Sequence, residues 1–209
     1  MLNLFPICKA ISYRLVRIIF RMKYEGLENI PEGGGYILAC NHPSYFDPPI
    51  IAQKIPVQVR YLAKSELLRV PILGFFIRRL GIIPVRRGES DNSAIDAAVE
   101  VVREGGVLGV FPEGTRNKGG PTLRPRSGIA VIAGQTGADV LPMSITYGKG
   151  VRFRGPVTVR YGPLIPNNEI GVDTASPKSV RSASKYIMEK IIALLDTPPT
   201  GRLPEKGEA

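Results

Sequence analysis

His42 and Asp47 are the two residues whose types and spacing most directly suggest chemistry. His42 is the single histidine of the chain, it follows a predicted strand, and Asp47 comes five positions later, which gives the pattern H-x4-D. An imidazole titrates near neutral pH, and a carboxylate bonded to one ring nitrogen fixes the tautomer while the other nitrogen takes a proton. The pair therefore suits a general base if Pro43 forces a turn. The alternative is a surface histidine and an aspartate that caps a helix before Pro48.

Such a base is expected to activate a bound hydroxyl or water, because the chain offers no good nucleophile of its own. No serine lies in a G-x-S-x-G elbow. Cys40 is predicted to be buried in a strand, where a thiolate is disfavoured. With two cysteines and one histidine, a Cys/His metal site is excluded, and we expect no metal.

A second group of residues has the types that bind phosphate. The segment 111–116 reads F-P-E-G-T-R after a predicted strand, and its glycine, hydroxyl and guanidinium together suit a bound anion. The cations that continue it without an intervening acid are Arg116, Lys118, Arg124 and Arg126. They are either a self-repelling solvated cluster or a site for an anion. Lys64 and Arg86-Arg87 end two other predicted strands, so several cations are expected at one edge of the sheet, where α/β proteins bind ligands.

The elements that position these residues alternate between strands and helices. Strands are predicted at 36–40, 59–63, 82–85, 107–111, 140–146 and 157–161, and helices at 65–80, 93–103 and 127–135. A last helix is predicted after Ser176-Pro177, with Val180, Ile187, Ile191 and Leu194 aligned on one face. This order predicts one α/β domain over residues 24–196, with a mixed, mainly parallel sheet flanked by helices. Residues 197–209 are predicted to be a flexible tail.

Residues 1–23 are predicted to form a separate amphipathic helix. At helical spacing one apolar stripe contains Ile7, Ile11, Leu15, Ile18 and Met22, and the cations beside it are Arg14, Arg17 and Arg21. These charges argue against a spanning helix and a signal peptide. The pattern predicts a helix that lies in an anionic headgroup layer, and the alternative is a helix docked on its own domain.

The charge of the chain points to an anionic partner. Lys and Arg number 28 against 18 Asp and Glu, a net charge of +10. Nucleic acid, a phosphorylated metabolite and an anionic membrane would each satisfy this balance. No nucleic-acid recognition motif or aromatic stacking platform is present, so we expect no nucleic-acid partner. The cysteine content fits a reducing, cytoplasmic-side location.

Four sequence blocks together resemble those of the glycerolipid acyltransferases, most closely the bacterial 1-acyl-sn-glycerol-3-phosphate acyltransferases. They are N-H-P-S-Y-F-D at 41–47, G-I-I-P-V-R-R at 81–87, F-P-E-G-T-R at 111–116 and Leu141-Pro142. The resemblance covers about residues 24 to 165. An H-x4-D pattern followed about seventy residues later by F-P-E-G-T-R is unlikely to arise by chance. The resemblance therefore favours the catalytic interpretation of His42 over the surface one.

The resemblance implies a reaction and a set of site residues. His42 would be the general base and Asp47 its orienting partner, and the hydroxyl of lysophosphatidic acid would attack the thioester of acyl-CoA or acyl carrier protein without an acyl-enzyme. The residues expected to bind substrate are Lys64, Arg87, Glu113, Gly114, Thr115, Arg116 and Arg126. Among them Arg87 is expected on the acceptor phosphate, Glu113 is assigned a structural or hydroxyl-contacting role, and Arg126 takes a position where many members have lysine. No cofactor is implied, and the product would be phosphatidic acid for phospholipid synthesis.

The sequence is also compatible with two other functions. One is a related acyltransferase with another acceptor, such as glycerol 3-phosphate or an amino-acid-derived lyso-lipid. The other is a non-catalytic protein that binds anionic lipid, which would leave His42 and Asp47 unexplained. The apolar stretch 67–80 is either core, the wall of an acyl-chain channel, or a surface that dips into lipid. The expected location is the cytoplasmic face of the cell membrane, in peripheral or monotopic attachment.

Overall fold

A seven-stranded sheet forms the centre of the fold in the computed structural model, which describes residues 5–65, 82–85, 92–117 and 124–195. The strands are β1 (Phe20–Glu25), β2 (Tyr36–Cys40), β3 (Val59–Lys64), β4 (Ile83–Val85), β5 (Val107–Val110), β6 (Val140–Tyr147) and β7 (Gly155–Tyr161). Their order across the sheet is β1-β7-β6-β2-β5-β3-β4. Only the β6–β7 pair among these described strands is antiparallel. The predicted mixed, mainly parallel sheet is therefore confirmed.

Helices cover both faces of this sheet. They are α1 (Phe5–Ile19), α2 (Asp47–Ile51), α3 (Asn92–Arg103), α4 (Gly128–Thr136), α5 (Asn167–Ile170) and α6 (Pro177–Ile192). The start of α6 follows its sequence signal, since the Ser176 side chain accepts a hydrogen bond from the Ser179 N–H and Pro177 occupies the first turn. The end of α4 is set by Gly137, whose φ of 69° is left-handed.

The central strand β2 divides the hydrophobic core into two layers. All five of its residues are buried, and successive side chains point to opposite faces. Ile37 and Ala39 pack with α3, α4 and α6 on one face. Leu38 and Cys40 pack with α1 and α2 on the other face. A strand buried on both faces is expected to be apolar throughout, as the run 36–40 is.

Parallel pairing brings the segments that follow β2 and β5 to the same edge of the sheet. Ala39 of β2 is in register with Val110 of β5, and Cys40 is in register with Met143 of β6. The chain leaving β2 enters the His42 segment, and the chain leaving β5 enters the segment 111–117. The first and third sequence blocks therefore lie side by side at this edge.

The N-terminal segment forms a helix and then a strand, which corrects the predicted helix over residues 1–23. α1 ends at Ile19, and Phe20–Glu25 pairs in parallel with β7 as an edge strand of the sheet. Met22, placed in the helical stripe by its spacing, therefore lies in β1. Within the described ranges, no helix combines the length and the apolar character needed to cross a membrane. The predicted apolar helix beyond Ser65 and the tail at 197–209 lie outside the described residues.

Candidate active site

The site is built around a direct contact between His42 and Asp47. His42 Nδ1 lies 2.7 Å from Asp47 Oδ2, which is hydrogen-bond distance. The Asp47 side chain is fully buried, and 16% of the His42 side chain remains exposed. Because the carboxylate holds Nδ1, it leaves Nε2 as the ring nitrogen that can take a proton. The predicted pairing of the two side chains is therefore present.

A short turn closes the five-residue spacing between these two residues. The Ser44 N–H donates to Asp47 Oδ2 at 2.7 Å, and the Phe46 N–H donates to the Ser44 hydroxyl at 3.2 Å. Asp47 is then the first residue of α2, and the prolines that follow it fit a first helical turn. The Asp47 carboxylate thus fixes the turn that carries it and orients the imidazole at the same time.

Asp47 also accepts a hydrogen bond from a distant strand. The Tyr147 hydroxyl, at the end of β6, donates to Asp47 Oδ1 at 2.8 Å in the buried interior. Burial raises the pKa of the Asp47 carboxyl, while the hydrogen bonds from His42, Ser44 and Tyr147 act to lower it. Burial also raises the pKa of Tyr147, so this hydroxyl stays a donor. Each carboxylate oxygen therefore has a fixed partner.

The His42 ring lies on a stack of aromatic side chains. Its centroid is 4.0 Å from that of Phe111 with an interplanar angle of 19°, and Phe111 in turn stacks on Tyr61 at 6.0 Å. Gly109 makes room for this stack, because a Cβ at that position would overlap the Tyr61 ring. Packing against Phe111 restricts the rotamer of the imidazole, which keeps Nε2 in one orientation.

The F-P-E-G-T-R segment is hydrogen-bonded to the backbone of His42. Glu113 Oε1 accepts from the His42 N–H at 3.1 Å, and the Asn117 N–H donates to the His42 carbonyl at 2.8 Å. Glu113 is buried, and burial raises the pKa of its carboxyl. This contact is structural in kind, which matches one of the two roles predicted for Glu113, and any contact with substrate stays a prediction. The first and third blocks form one unit.

Asn41 anchors the other side of the His42 segment to β6. Its side-chain amide donates to the Ile145 carbonyl at 3.0 Å, and its Oδ1 accepts from the Ile145 N–H at 2.8 Å. Sequence reasoning named neither Asn41 nor Tyr147 as a functional residue. Both contacts connect positions about a hundred residues apart in sequence, and no local spacing indicates them.

Arg116 and Arg126, two of the arginines that the structure describes in this region, take different positions around the third block. The Arg116 guanidinium carbon lies 3.4 Å from the centroid of the exposed Tyr45 ring. Arg116 Nε is buried and has no hydrogen-bond partner within the described part of the chain. Gly114 has a left-handed φ of 66°, and a Cβ there would meet the Arg126 side chain. The left-handed φ favours glycine at position 114, and a Cβ there would also displace the Arg126 side chain.

The remaining predicted site residues are only partly described. Thr115 is exposed beside Gly114, at the surface of the loop. Lys64 is the last residue of β3, so its backbone lies at the carboxyl end of a strand parallel to β5. Arg87, its neighbour Arg86 and Lys118 lie outside the described residues, and their positions stay predictions.

Comparison with known proteins assigns the chain to a family. The family model described as Acyltransferase matches residues 21–146, which is more than half of the chain. The chain belongs to this acyltransferase family, and the resemblance predicted from the sequence blocks is confirmed at that level. The match includes the first, second and third blocks and the Leu141-Pro142 pair.

Two relatives and one solved structure illustrate what the chain is similar to. The chain is 39% identical over 141 residues to the 1-acyl-sn-glycerol-3-phosphate acyltransferase of Borreliella burgdorferi, covering 66% of this chain and 55% of that protein. It is 32% identical over 110 residues to the lyso-ornithine lipid O-acyltransferase of Pseudomonas aeruginosa, covering 52% and 42%. The crystal structure of the 1-acyl-sn-glycerophosphate (LPA) acyltransferase PlsC from Thermotoga maritima superposes with a TM-score of 0.71 at 28% identity, covering 89% of this chain and 76% of that one. The chain thus spans about half the length of the relatives matched by sequence.

Proposed function

We propose that the chain transfers a fatty acyl group to the free hydroxyl of 1-acylglycerol 3-phosphate and so makes phosphatidic acid. The observation that carries this proposal is the 2.7 Å contact between His42 Nδ1 and the buried Asp47 carboxylate, which leaves Nε2 to act as a base. Family membership and the activity for which the Borreliella relative is named support the reaction class. The acyl donor in this proposal is the thioester of acyl-CoA or acyl carrier protein.

The proposed reaction needs two proton transfers, one from the acceptor hydroxyl to His42 and one from His42 to the leaving thiolate. His42 Nε2 takes the proton of the acceptor hydroxyl as its oxygen bonds to the thioester carbonyl carbon. The buried Asp47 carboxylate stabilises the imidazolium formed in this step. Collapse of the tetrahedral intermediate breaks the carbon–sulfur bond, and the imidazolium returns the proton to the leaving thiolate. The protein contributes no nucleophile in this route, which agrees with Cys40 being buried and with burial raising the pKa of its thiol.

The acceptor phosphate is proposed to bind at the third block. The buried Arg116 Nε has no hydrogen-bond partner among the described residues, and it is a donor that an anion would satisfy. Tyr45 holds the Arg116 guanidinium by stacking, and this contact restricts its orientation before substrate arrives. Arg126 lies against Gly114, and the exposed Thr115 hydroxyl is nearby. Arg87 and Lys64 are proposed to add positive charge at the same edge.

Attachment to the cytoplasmic face of a membrane is proposed to occur through α1. Val16 on one side of the helix is buried against the domain, whereas Ile7, Ile11, Leu15 and Ile18 on the opposite side are each more than half exposed. Arg14 and Arg17 are exposed next to that stripe. A helix that only docks on its own domain would turn its apolar stripe inward, so this arrangement favours an interfacial helix. With α1 in the interface, the proposed active site would take the lysolipid and the acyl thioester from the bilayer surface.

An assay with purified protein separates this function from its alternatives. Labelled acyl-CoA and labelled acyl carrier protein are each incubated with 1-acylglycerol 3-phosphate, glycerol 3-phosphate or lyso-ornithine lipid. We expect the labelled product to be phosphatidic acid, formed with 1-acylglycerol 3-phosphate. Transfer only to lyso-ornithine lipid would favour the acceptor of the Pseudomonas relative. Vesicle binding without transfer to any acceptor would favour a non-catalytic lipid-binding protein.

A further inference from the structure

The loop between β6 and β7, residues 148–154, exposes apolar side chains at its tip. It reads G-K-G-V-R-F-R, and Val151 and Phe153 are exposed by 49% and 72%. A single exposed apolar residue is ordinary on a protein surface, but a group of them marks an interaction site.

The loop adjoins the exposed stripe of α1. The Arg154 N–H donates to the carbonyl of Ile19, the last residue of α1, at 2.5 Å. Phe153 and Ile18, which are next to these two residues in sequence, are both exposed. We define the interfacial surface as Ile7, Ile11, Leu15, Ile18, Val151 and Phe153. Its two parts come from distant segments that meet at the end of α1.

Charge indicates the chemistry of the partner. Lys149, Arg152 and Arg154 alternate with the two apolar residues of the loop, and all three are exposed. The loop contains no acidic residue, and α1 contains none either. Apolar side chains bordered by cations suit a bilayer with anionic headgroups, where rings enter the acyl boundary and cations remain at the phosphates. An acidic protein would use the cations but would leave the apolar stripe of α1 unpaired.

The loop is held in shape by its own hydrogen bonds. The Gly148 N–H donates to the Pro156 carbonyl at 3.1 Å, and the Gly155 N–H donates to the Arg152 carbonyl at 3.0 Å. Gly150 has a φ of 85°, which allows the N–H of this residue to close a turn onto the Tyr147 carbonyl. A preformed loop loses little conformational entropy when it binds, which favours its use as a contact.

We propose that the β6–β7 loop is a second bilayer contact, in which Val151 and Phe153 enter an anionic membrane beside the apolar stripe of α1. The loop directly follows Tyr147, which binds Asp47, so this contact holds the bilayer at the edge of the sheet that carries the catalytic pair. The inference extends the α1 attachment proposed above. It does not depend on the acyl transfer reaction, and its test measures the contact of the loop with the bilayer separately from that of α1.

The absence of tryptophan from the sequence allows a local test. Phe153→Trp places one indole at the loop tip, and Leu27→Trp serves as the matched control. Leu27 is also an exposed apolar residue, but it follows Glu25, at the opposite end of β1 and β7 from the loop. Full-length variants are mixed with vesicles of phosphatidylcholine and phosphatidylglycerol that include a brominated lipid. We expect a blue shift and quenching for Phe153→Trp and neither change for Leu27→Trp.

A partition measurement gives an independent outcome. The double variant Val151→Ser with Phe153→Ser is expected to bind the same vesicles roughly tenfold more weakly. Transfer of the two apolar side chains from water into the bilayer favours binding, and this contribution is lost in the variant. Leu27→Ser should leave binding unchanged. The proposal is overturned if Phe153→Trp shows no spectral change on vesicles that sediment the protein. It is also overturned if the spectral change occurs on self-association without vesicles, or if acyl carrier protein produces it and vesicles do not.

Discussion

The Tyr147 hydroxyl donates a 2.8 Å hydrogen bond to Asp47 Oδ1 and connects the end of β6 to the partner of the candidate base. Asp47 Oδ2 is already engaged by His42 and by the Ser44 N–H, so the two oxygens of one carboxylate have separate tasks. Oδ2 orients the imidazole, and Oδ1 fixes the carboxylate itself. Tyr147 is therefore expected to act on the proposed reaction through Asp47, as a positioning residue.

Replacing Tyr147 is expected to alter the pH profile of acyl transfer. In Tyr147→Phe the Asp47 carboxyl loses a donor that lowers its pKa, so the pKa rises further. The acidic limb of the kcat profile should then move to higher pH, with kcat lowered by about tenfold at neutral pH, since a hydrogen bond to a charged group is worth about 1.5–3 kcal/mol. The matched control is Tyr161→Phe, whose buried hydroxyl donates to the Ile51 carbonyl instead. An unchanged acidic limb in Tyr147→Phe would contradict the positioning role.

The acceptor site is tested by substitutions of Arg116. Arg116→Ala should raise the KM for 1-acylglycerol 3-phosphate by about tenfold or more, because a hydrogen bond to a charged phosphate is lost, and should change the donor KM little. Arg116→Lys should recover only part of the loss, since an ammonium cannot stack on Tyr45 or bind phosphate through two parallel bonds. Arg103→Ala is the control, because Arg103 is an exposed residue at the end of α3 whose guanidinium donates to the Gln135 carbonyl. Equal effects on both substrates would remove Arg116 from the acceptor site.

The buried Glu113 carboxyl predicts a pH-dependent change in stability. Its pKa is raised by burial, so the folded protein binds this proton more tightly than the unfolded chain and gains stability as pH falls towards that pKa. Glu113→Gln cannot titrate. We expect the free energy of unfolding to be higher for this variant than for the wild type, by about 1 kcal/mol at pH 8 and by less at pH 5.

Thermal or urea unfolding at the two pH values measures this difference. Glu28→Gln, which changes an exposed carboxylate, is the control and should show the same small difference at both pH values. A Glu113→Gln difference that does not vary with pH would show that the carboxyl titrates alike in the folded and unfolded states.

The α1 attachment predicts two components of membrane binding. Raising the salt concentration should release only part of the wild-type protein from anionic vesicles, because screening weakens the contribution of Arg14 and Arg17 but not apolar burial. Ile11→Ser, Leu15→Ser and Ile18→Ser together should shift most of the protein to the supernatant on sedimentation. Leu27→Ser should sediment like the wild type. Complete sedimentation of the triple variant would show that α1 is not the main anchor.

The local parts of the fold and the site were predictable from the sequence. The run Tyr36–Cys40 was recognisable because a strand buried on both faces is apolar at every position. The His42–Asp47 contact was predictable because both residues lie within one turn. The edge strand Phe20–Glu25 was missed, since the mixed polarity of F-R-M-K-Y-E also continues the helical stripe of α1.

Long-range contacts were not predictable. Tyr147 and Asn41 act through hydrogen bonds that join β6 to the His42 segment, and these bonds depend on strand order and register. The exposure of the apolar stripe likewise depends on which side of α1 packs against the domain. The spacing of the apolar residues alone does not decide which side that is.

We propose that His42, oriented by Asp47, is the base in an acyl transfer to 1-acylglycerol 3-phosphate. The most direct measurement is the rate of labelled phosphatidic acid formation by purified wild type, His42→Ala and Asp47→Asn, with circular dichroism and thermal unfolding to show that the variants are folded. We expect His42→Ala to lower the rate by roughly 10²–10⁴ and Asp47→Asn to be nearly as damaging. A folded His42→Ala protein that forms phosphatidic acid at the wild-type rate would show that His42 is not the base.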